Sequence, residues 1–425
     1  MSRFVRSSKF RHVFGTSLKH DTCFDNVKVS SSAWDTNLVK VNSTFVAINW
    51  NAGGGGAFAV IPFKNSGKIS DGIPLYRSHT APVLDTDFAN FNEYVVASAS
   101  EDSKIMIWNV PEELGEPESP DVEPVAKLTG HGRKVGHVLF HPVADNVLAS
   151  SSADLTVKLW DIEKGIEKQQ LEGFLDFVQS MSWNWNGSLL ATTSRDKRIR
   201  IFDVRSSKVV QEASGHQGVK GSRIVWLGNT DRFVTTGFSK MSDRQVFLWN
   251  TNDLEKPIKN MMLDTSSGIV MPFYDEDTKI LFLAGKNDEL HYLSEYKSSE
   301  PQRGMSFLPK RSVNISECEI ARAYKVANNL IEPISFVVPR KSDAFQADLF
   351  PPTIGDEPAL TADEFFEGKN SNPKMIDLEK GFQYEEAYHQ LRQENDDLRK
   401  QLAQRDISIR ALTAQLEHLK TSSPS

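Results

Sequence analysis

Cysteine is nearly missing from this 425-residue chain, which has only Cys23 and Cys318. Two are too few for a disulfide framework or a cysteine zinc site, and the scarcity suits a reducing compartment. No run approaches the ~20 consecutive apolar residues of a membrane span. Residues 1–14 are basic and polar without an apolar stretch, so no secretory leader is expected. No Lys/Arg run reaches the density of a nucleic-acid arm, which argues against a nucleic-acid partner. No spacing of nucleophile and base reads as a catalytic centre, so neither an enzyme nor a cofactor is expected.

Glycine is present at 25 positions, but two glycine motifs that invite a phosphate-loop reading fail on context. Residues 53–56 are GGGG and are followed by Phe58-Ala59-Val60-Ile61, a strand pattern, so a tight hairpin is expected. Gly67-Lys68 lacks the first glycine of a Walker motif, because that place holds Pro62. His137 and His141 have metal-compatible spacing only on a helix, and 136–140 reads as a strand, where one ion cannot bridge them. Hydrophobic residues at 39% and charged residues at 25% are enough to bury a core and stay soluble. The net charge of −7 is uneven: residues 1–68 carry nine Lys/Arg against three Asp/Glu, and residues 351–425 nine against fourteen. The first part of the chain therefore favours an acidic partner.

What the chain does have is a repeat. Residues 95–110 read VVASASEDSKIMIWNV, 147–162 VLASSSADLTVKLWDI, and 189–204 LLATTSRDKRIRIFDV; a looser fourth unit ends in FLWN at 247–250. Asp102, Asp154, Asp196 and Asp243 each stand six residues before Trp108, Trp160, Phe202 and Trp249. His79 and His131 each lie 29 residues before their tryptophan. Each unit reads as strand, Asp turn, alternating strand: Val157 and Leu159 share one face, Lys158 and Trp160 the other. Asp suits the turn because its carboxylate takes nearby backbone N–H groups. The period is that of a WD-repeat β-propeller of four-stranded blades, an all-β fold. In such repeats the Asp, the upstream His, a strand Ser/Thr and the Trp form a buried hydrogen-bonded set. Here it would comprise His79, Asp102 and Trp108; His131, Asp154, Trp160 and one of Ser150 to Ser152; Asp196; and His216, Asp243 and Trp249. Residues 1–340 have room for seven blades at roughly 40–50 residues each.

Several segments resemble the coronin family, actin-filament-binding WD-repeat proteins, more closely than WD-repeat proteins at large. They are RSSKFRHVFG at 6–15, AWD at 33–35, GGGGAF at 53–58, GFSKMS at 237–242, MPFYD at 271–275, PQRG at 301–304, and PRKSD, FQ and DLFP between 339 and 351. The resemblance covers residues 1 to about 373. It implies a seven-bladed propeller closed by the N-terminal strand, and an extension, 341–373, packed on one face. It also implies binding of F-actin in the cytoplasm at the actin-rich cortex, and engagement of the actin-related-protein nucleation complex through the C-terminal part. The chain departs from the family after Ala284-Gly285-Lys286-Asn287-Asp288, where relatives continue into a further outer strand and this chain passes to Leu290. One late blade is therefore expected to be incomplete. Some relatives carry a basic residue where this chain has Ser31. The basic residues Arg3, Arg6, Lys9, Arg11, Lys19 and Lys28 are the candidates for contact with acidic actin. A WD-repeat adaptor for some non-actin complex is the competing reading.

After a short linker, 374–383, residues 384–420 read as a coiled coil for self-association. Tyr388, Asn395, Leu402, Ile409 and Leu416 fall at a; Leu391, Leu398, Arg405, Leu412 and Leu419 fall at d. Eight of these ten places are apolar. Asn395 and Arg405 interrupt the seam, and dimer versus trimer stays open.

Overall fold

The computed structural model describes residues 10, 12–112, 114, 121–285, 296, 298, 300–342, 344–383 and 398. It divides into units of residues 1–376 and 377–425.

The first unit is a ring of antiparallel sheets. Five have four strands, each running out from the axis in chain order: Val39–Val41, Phe45–Trp50, Gly56–Pro62, Tyr76–His79; Val83–Phe88, Val95–Ser100, Ile105–Asn109, Ala126–Leu128; Val135–Phe140, Val147–Ser152, Val157–Asp161, Ile166–Leu171; Val178–Trp183, Leu189–Ser194, Arg198–Asp203, Lys208–Ser214; Arg223–Trp226, Arg232–Phe238, Arg244–Asn250, Lys259–Met262. The residue pattern explains the strands. Val96, Ala97, Leu148 and Ala149 are small or branched and buried on both faces, because every blade is sandwiched between two others. Apolar clusters accordingly lie between sheets: one joins Phe58, Tyr76 and Val83 to Trp108, another joins Ile105 and Leu128 to Val138 and Trp160.

The ring is closed by a sheet whose ends come from distant parts of the chain. Gly304–Phe307, Glu319–Val326 and Leu330–Val337 are followed outward by Phe14–Ser17, with Phe14 opposite Val337 and Ser17 opposite Ile334. Phe24–Asp25 also pairs with Leu330–Val337, and Gly67–Lys68 pairs parallel to Phe24–Asp25. Between this sheet and the Arg223–Trp226 sheet lies a pair of strands, Met271–Asp275 and Ile280–Ala284. Among the described residues it has no third strand. Phe273 and Phe282 bind it to the closing sheet, with ring centroids 4.8 and 4.9 Å from Phe307.

Inner strands expose unpaired N–H groups toward their neighbours, and the preceding inner strand supplies acceptors. Asp85 and Asp87 accept from the N–H of Val138 (3.1 Å) and Phe140 (2.8 Å), and Ser180 and Ser182 from Ile224 (3.2 Å) and Trp226 (2.9 Å). Each pair is two residues apart on one strand, so both side chains point the same way. The chain turns through 53–56 as a hairpin between Phe45–Trp50 and Gly56–Pro62. Gly54 there has φ +83°, a region that glycine enters without strain.

The extension packs on the side where the inner strands end. Ala359 and Leu360 donate to the Val143 carbonyl, and Asp145 donates back to Leu360. A short helix, Ala362–Phe366, opens on a capping box of Thr361 and Glu364. Its Phe365 is fully buried, 4.3 Å from the His141 ring and under the Arg205 guanidinium. Arg205 also donates to Asn370 and to the carbonyls of Gly368 and Lys369. Thr353–Ile354 pairs with Met375–Ile376, so ordered pairing enters the stretch assigned to a linker from sequence, and residues 378–383 begin a helix. Leu398 is helical; Leu391, Asn395, Leu402, Ile409, Leu412, Leu416 and Leu419 lie outside the described residues.

Candidate functional site

Two sheets carry the same four-residue relay. His131 Nδ1 meets Asp154 at 2.9 Å and Nε2 meets Ser150 Oγ at 2.8 Å, while the Trp160 indole N–H donates to the same Oγ at 2.8 Å. His79, Asp102, Ser98 and Trp108 repeat it at 3.0, 2.8 and 2.8 Å. Burial holds the His131 imidazole below its ordinary pKa, and Asp154 stays ionised below the usual carboxylate range because Thr156, Gly132 and His131 bond it despite its own burial. The ring is therefore neutral with its proton on Nδ1, and Ser150 donates to Nε2 while accepting from the tryptophan. Of the three candidate serines, Ser151 bonds His137 and Ser152 bonds the Arg133 carbonyl.

The other two units differ. Asp196 has no histidine partner; it takes the N–H of Leu175 and pairs with Arg200 at 2.8 Å. His216 and Trp249 share Thr235, at 3.0 and 2.9 Å, but Asp243 bonds Ser239 and does not join them. The hairpin length explains it. The shared hydroxyl lies 10 residues before the tryptophan in the first two sheets and 14 before it here. Two extra residues per strand carry the turn roughly 7 Å beyond the histidine. Without that aspartate, the His216 ring stacks on Phe247, 4.0 Å away, and burial lowers its pKa to about 4.

The polar residues that converge on the axis were not singled out from sequence. Lys40 pairs with Asp87 at 3.0 Å, and Arg223 with Asp35 at 2.6 Å. Asp87 and Asp85 hold Lys40 above its ordinary pKa against the effect of burial. Burial raises Asp85 to about 7 and depresses His137 to about 3, the latter helped by Arg223. A channel cavity of about 420 Å³ is lined by Lys40, Asp85, Asp87, His137 and Arg223. The period-two pattern Asp85-x-Asp87 in an apolar strand was the signal available.

The segment 30–36 crosses the mouth of this channel, on the side where the inner strands begin. Trp34 donates to the Gly136 carbonyl at 3.0 Å, lies 5.1 Å from the Phe177 ring, and sits under the Lys134 ammonium. Gly136 is required there, since a Cβ would come within 2.4 Å of the indole. A second cavity of about 310 Å³ opens beside it, between Trp34, Phe177, Val219 and Ile269, with Arg195 and Lys220 among its lining residues.

Of the basic candidates, Lys19 is exposed beside the turn His20–Thr22, and Lys28 is exposed and paired with Asp71 at 2.9 Å. Arg3, Arg6, Lys9 and Arg11 lie outside the described residues. Among the described residues, no group of three His, Cys, Asp or Glu could hold a metal, and no helix is long and apolar enough to cross a membrane.

Residues 3–68 match a family described as a domain of unknown function, DUF1899. Residues 72–109, 122–161 and 165–203 match the WD domain, G-beta repeat, and residues 331–373 match a further type of WD40 repeat. A coronin-like protein of Schizosaccharomyces pombe is 54% identical over 391 residues, 88% of this chain and 65% of that protein; the chain thus spans a little under two thirds of its length. The WD40 domain of Toxoplasma gondii coronin superposes with a TM-score of 0.82 at 32% identity, covering 88% of this chain and 99% of that structure. Coronin-A of Dictyostelium discoideum is 44% identical over 395 residues, 90% of this chain and 88% of that protein. The chain belongs to the coronin family.

Proposed function

We propose that this protein binds actin filaments through its propeller and organises the actin cytoskeleton as an oligomeric scaffold. Family membership is the observation that carries the reading. The excess of Lys and Arg in residues 1–68 supports it, because filaments are acidic. In this reading the ring has seven blades, the Met271–Asp275 and Ile280–Ala284 pair being the shortened one. Residues 1–340 form the propeller, 341–373 the packed extension, 374–383 the linker and 384–420 the coiled coil. Self-association through Leu391, Asn395, Leu398, Leu402, Ile409, Leu412, Leu416 and Leu419 joins weak propeller sites on a repeating filament, where the effective concentration of a second site reaches ~mM. The C-terminal part engages the actin-related-protein nucleation complex, and the protein acts in the cytoplasm at the actin-rich cortex, in cell motility. Arg3, Arg6, Lys9, Arg11, Lys19 and Lys28 supply the filament contact.

Co-sedimentation of the full chain with actin filaments tests this. Pelleting with filaments that weakens as salt rises is expected. A clean negative at low salt refutes the reading.

A further inference from the structure

The Trp34 segment leaves the channel mouth furnished in a way that ring closure does not need. Three large apolar side chains stand out on the loops of this face: Leu175 (81% exposed), Val219 (79%) and Met241 (83%). Hydrogen bonds hold these loops in place. Leu175 donates its N–H to Asp196, and Gly218 donates to the Phe238 carbonyl beneath the turn that carries Met241. Val219 is also a wall, with Trp34, Phe177 and Ile269, of the cavity at this mouth.

Cations ring this apolar floor. Lys134 lies over Trp34, Arg195 over Phe177 and Lys220 over Phe238, each 4.3–5.5 Å from the ring. The carboxylates within their reach are distant and solvated: Glu101 is 4.0 Å from Lys134, and Asp176 is 3.9 Å from Arg195. Such pairs contribute little and exchange easily for another anion. At the cavity floor, His137 is nine-tenths buried and its Nδ1 meets Ser151 Oγ at 3.0 Å. Arg223 holds Asp35 beside it.

We propose that this mouth is a binding site for an acidic polypeptide segment that inserts one aromatic or large apolar side chain between Trp34, Phe177 and Val219. Lys134, Arg195 and Lys220 take the flanking carboxylates. Aromatic walls under a cationic rim suit this chemistry: the anchor supplies affinity and the rim charges supply orientation and encounter rate. The proposal stands whether or not the chain binds filaments.

The test uses the full chain and fluorescein-labelled peptides, with no actin present. One peptide reads Glu-Asp-Glu-Phe-Asp-Glu, a second has Ala for Phe, and a third keeps Phe with Gln and Asn for the acids. Fluorescence anisotropy is expected to show the first binding at least about tenfold more tightly than either other. Val219→Asp and the pair Arg195→Glu, Lys220→Glu each abolish that preference, whereas Lys28→Glu leaves it intact. Circular dichroism checks that each variant is folded. Equal binding of the Phe and Ala peptides overturns the proposal, since the surface is then only a charged face. An effect of Lys28→Glu as large as that of the mouth variants does the same. So does binding of phosphatidylserine vesicles that the mouth variants abolish while peptide binding persists, since the mouth then reads a lipid headgroup.

Discussion

Replacing Ser150 by Ala removes one hydroxyl and orphans two buried groups at once. That oxygen accepts from the Trp160 indole, and its hydrogen goes to His131 Nε2, both at 2.8 Å. Trp160 is 1% exposed and Ser150 is fully buried, so water cannot replace either bond. An unsatisfied buried polar group costs ~1–3 kcal/mol, which puts Ser150→Ala at ~2–6 kcal/mol. The control lies two residues away. Ser152 donates to the Arg133 carbonyl at 3.0 Å and accepts from the Asp154 N–H at the turn, and Ser152→Ala is expected to cost only ~1 kcal/mol. Ser150→Thr recovers part of the loss, since Thr235 does the same task for His216 and Trp249. Urea unfolding of the full chain followed by tryptophan fluorescence reads these differences as shifts in midpoint at constant slope. A Ser150→Ala loss no larger than that of Ser152→Ala refutes the relay as an energetic unit.

Between about pH 6.5 and 4, stability falls with pH. Unfolded His137, His141 and His216 take up protons that the folded chain accepts only near 3, 3 and 4. Asp85 and Glu276, both raised to about 7 by burial, act in the opposite sense because the folded chain keeps them protonated while the unfolded one ionises. The depressed histidines, joined by carboxylates such as Asp154 and Asp196 that the fold holds below their ordinary range, outweigh these two, so the net effect is a loss of stability on acidification. Asp85→Asn removes one opposing group and steepens the urea-midpoint profile; an unchanged slope sinks the assignment. Phe365→Ala costs ~3–5 kcal/mol of docking and exposes residues 349–376 to limited proteolysis, and a wild-type cleavage pattern counts against it. Truncation at residue 380 is expected to give a monomer by analytical ultracentrifugation that pellets less with filaments; equal pelleting refutes a role for avidity. Charge reversal at Arg6, Lys9 and Arg11 weakens filament binding and its salt dependence, and unchanged binding by a folded variant excludes those residues.

The repeat signature was legible because it is local. Asp154 and Trp160 sit six residues apart on one hairpin, and a hairpin writes its own geometry into the sequence. The same rule fails at Asp243, where spacing to Trp249 is kept while the histidine and its shared Thr235 stay behind, because a longer hairpin moves the turn and not the core. The shortening expected after Ala284 falls on residues outside the described ones; among the described residues Met271–Asp275 pairs with Ile280–Ala284. The channel mouth was not legible. Asp35 and Arg223 meet across 188 residues, and Trp34 and Gly136 across 102. Such contacts follow from the order of blades round the ring, which no window of sequence contains.

The strand Phe14–Ser17 has a consequence for how the molecule is made. Ser17 bonds Glu332, a partner 315 residues downstream. At ~5–20 residues per second, the ribosome takes roughly 15–60 s to deliver that partner. For that time the opening strand is an unpaired edge, and the sheet at each end of the open arc has one face with no neighbour. Loop closure over such a span is slow, and unpaired edges invite association between chains. Amino-terminal sheets made early therefore wait, half-covered, for the last strand to arrive. Substitutions near Phe14 should lower the yield of correctly closed rings during synthesis more than they lower the stability of rings already closed.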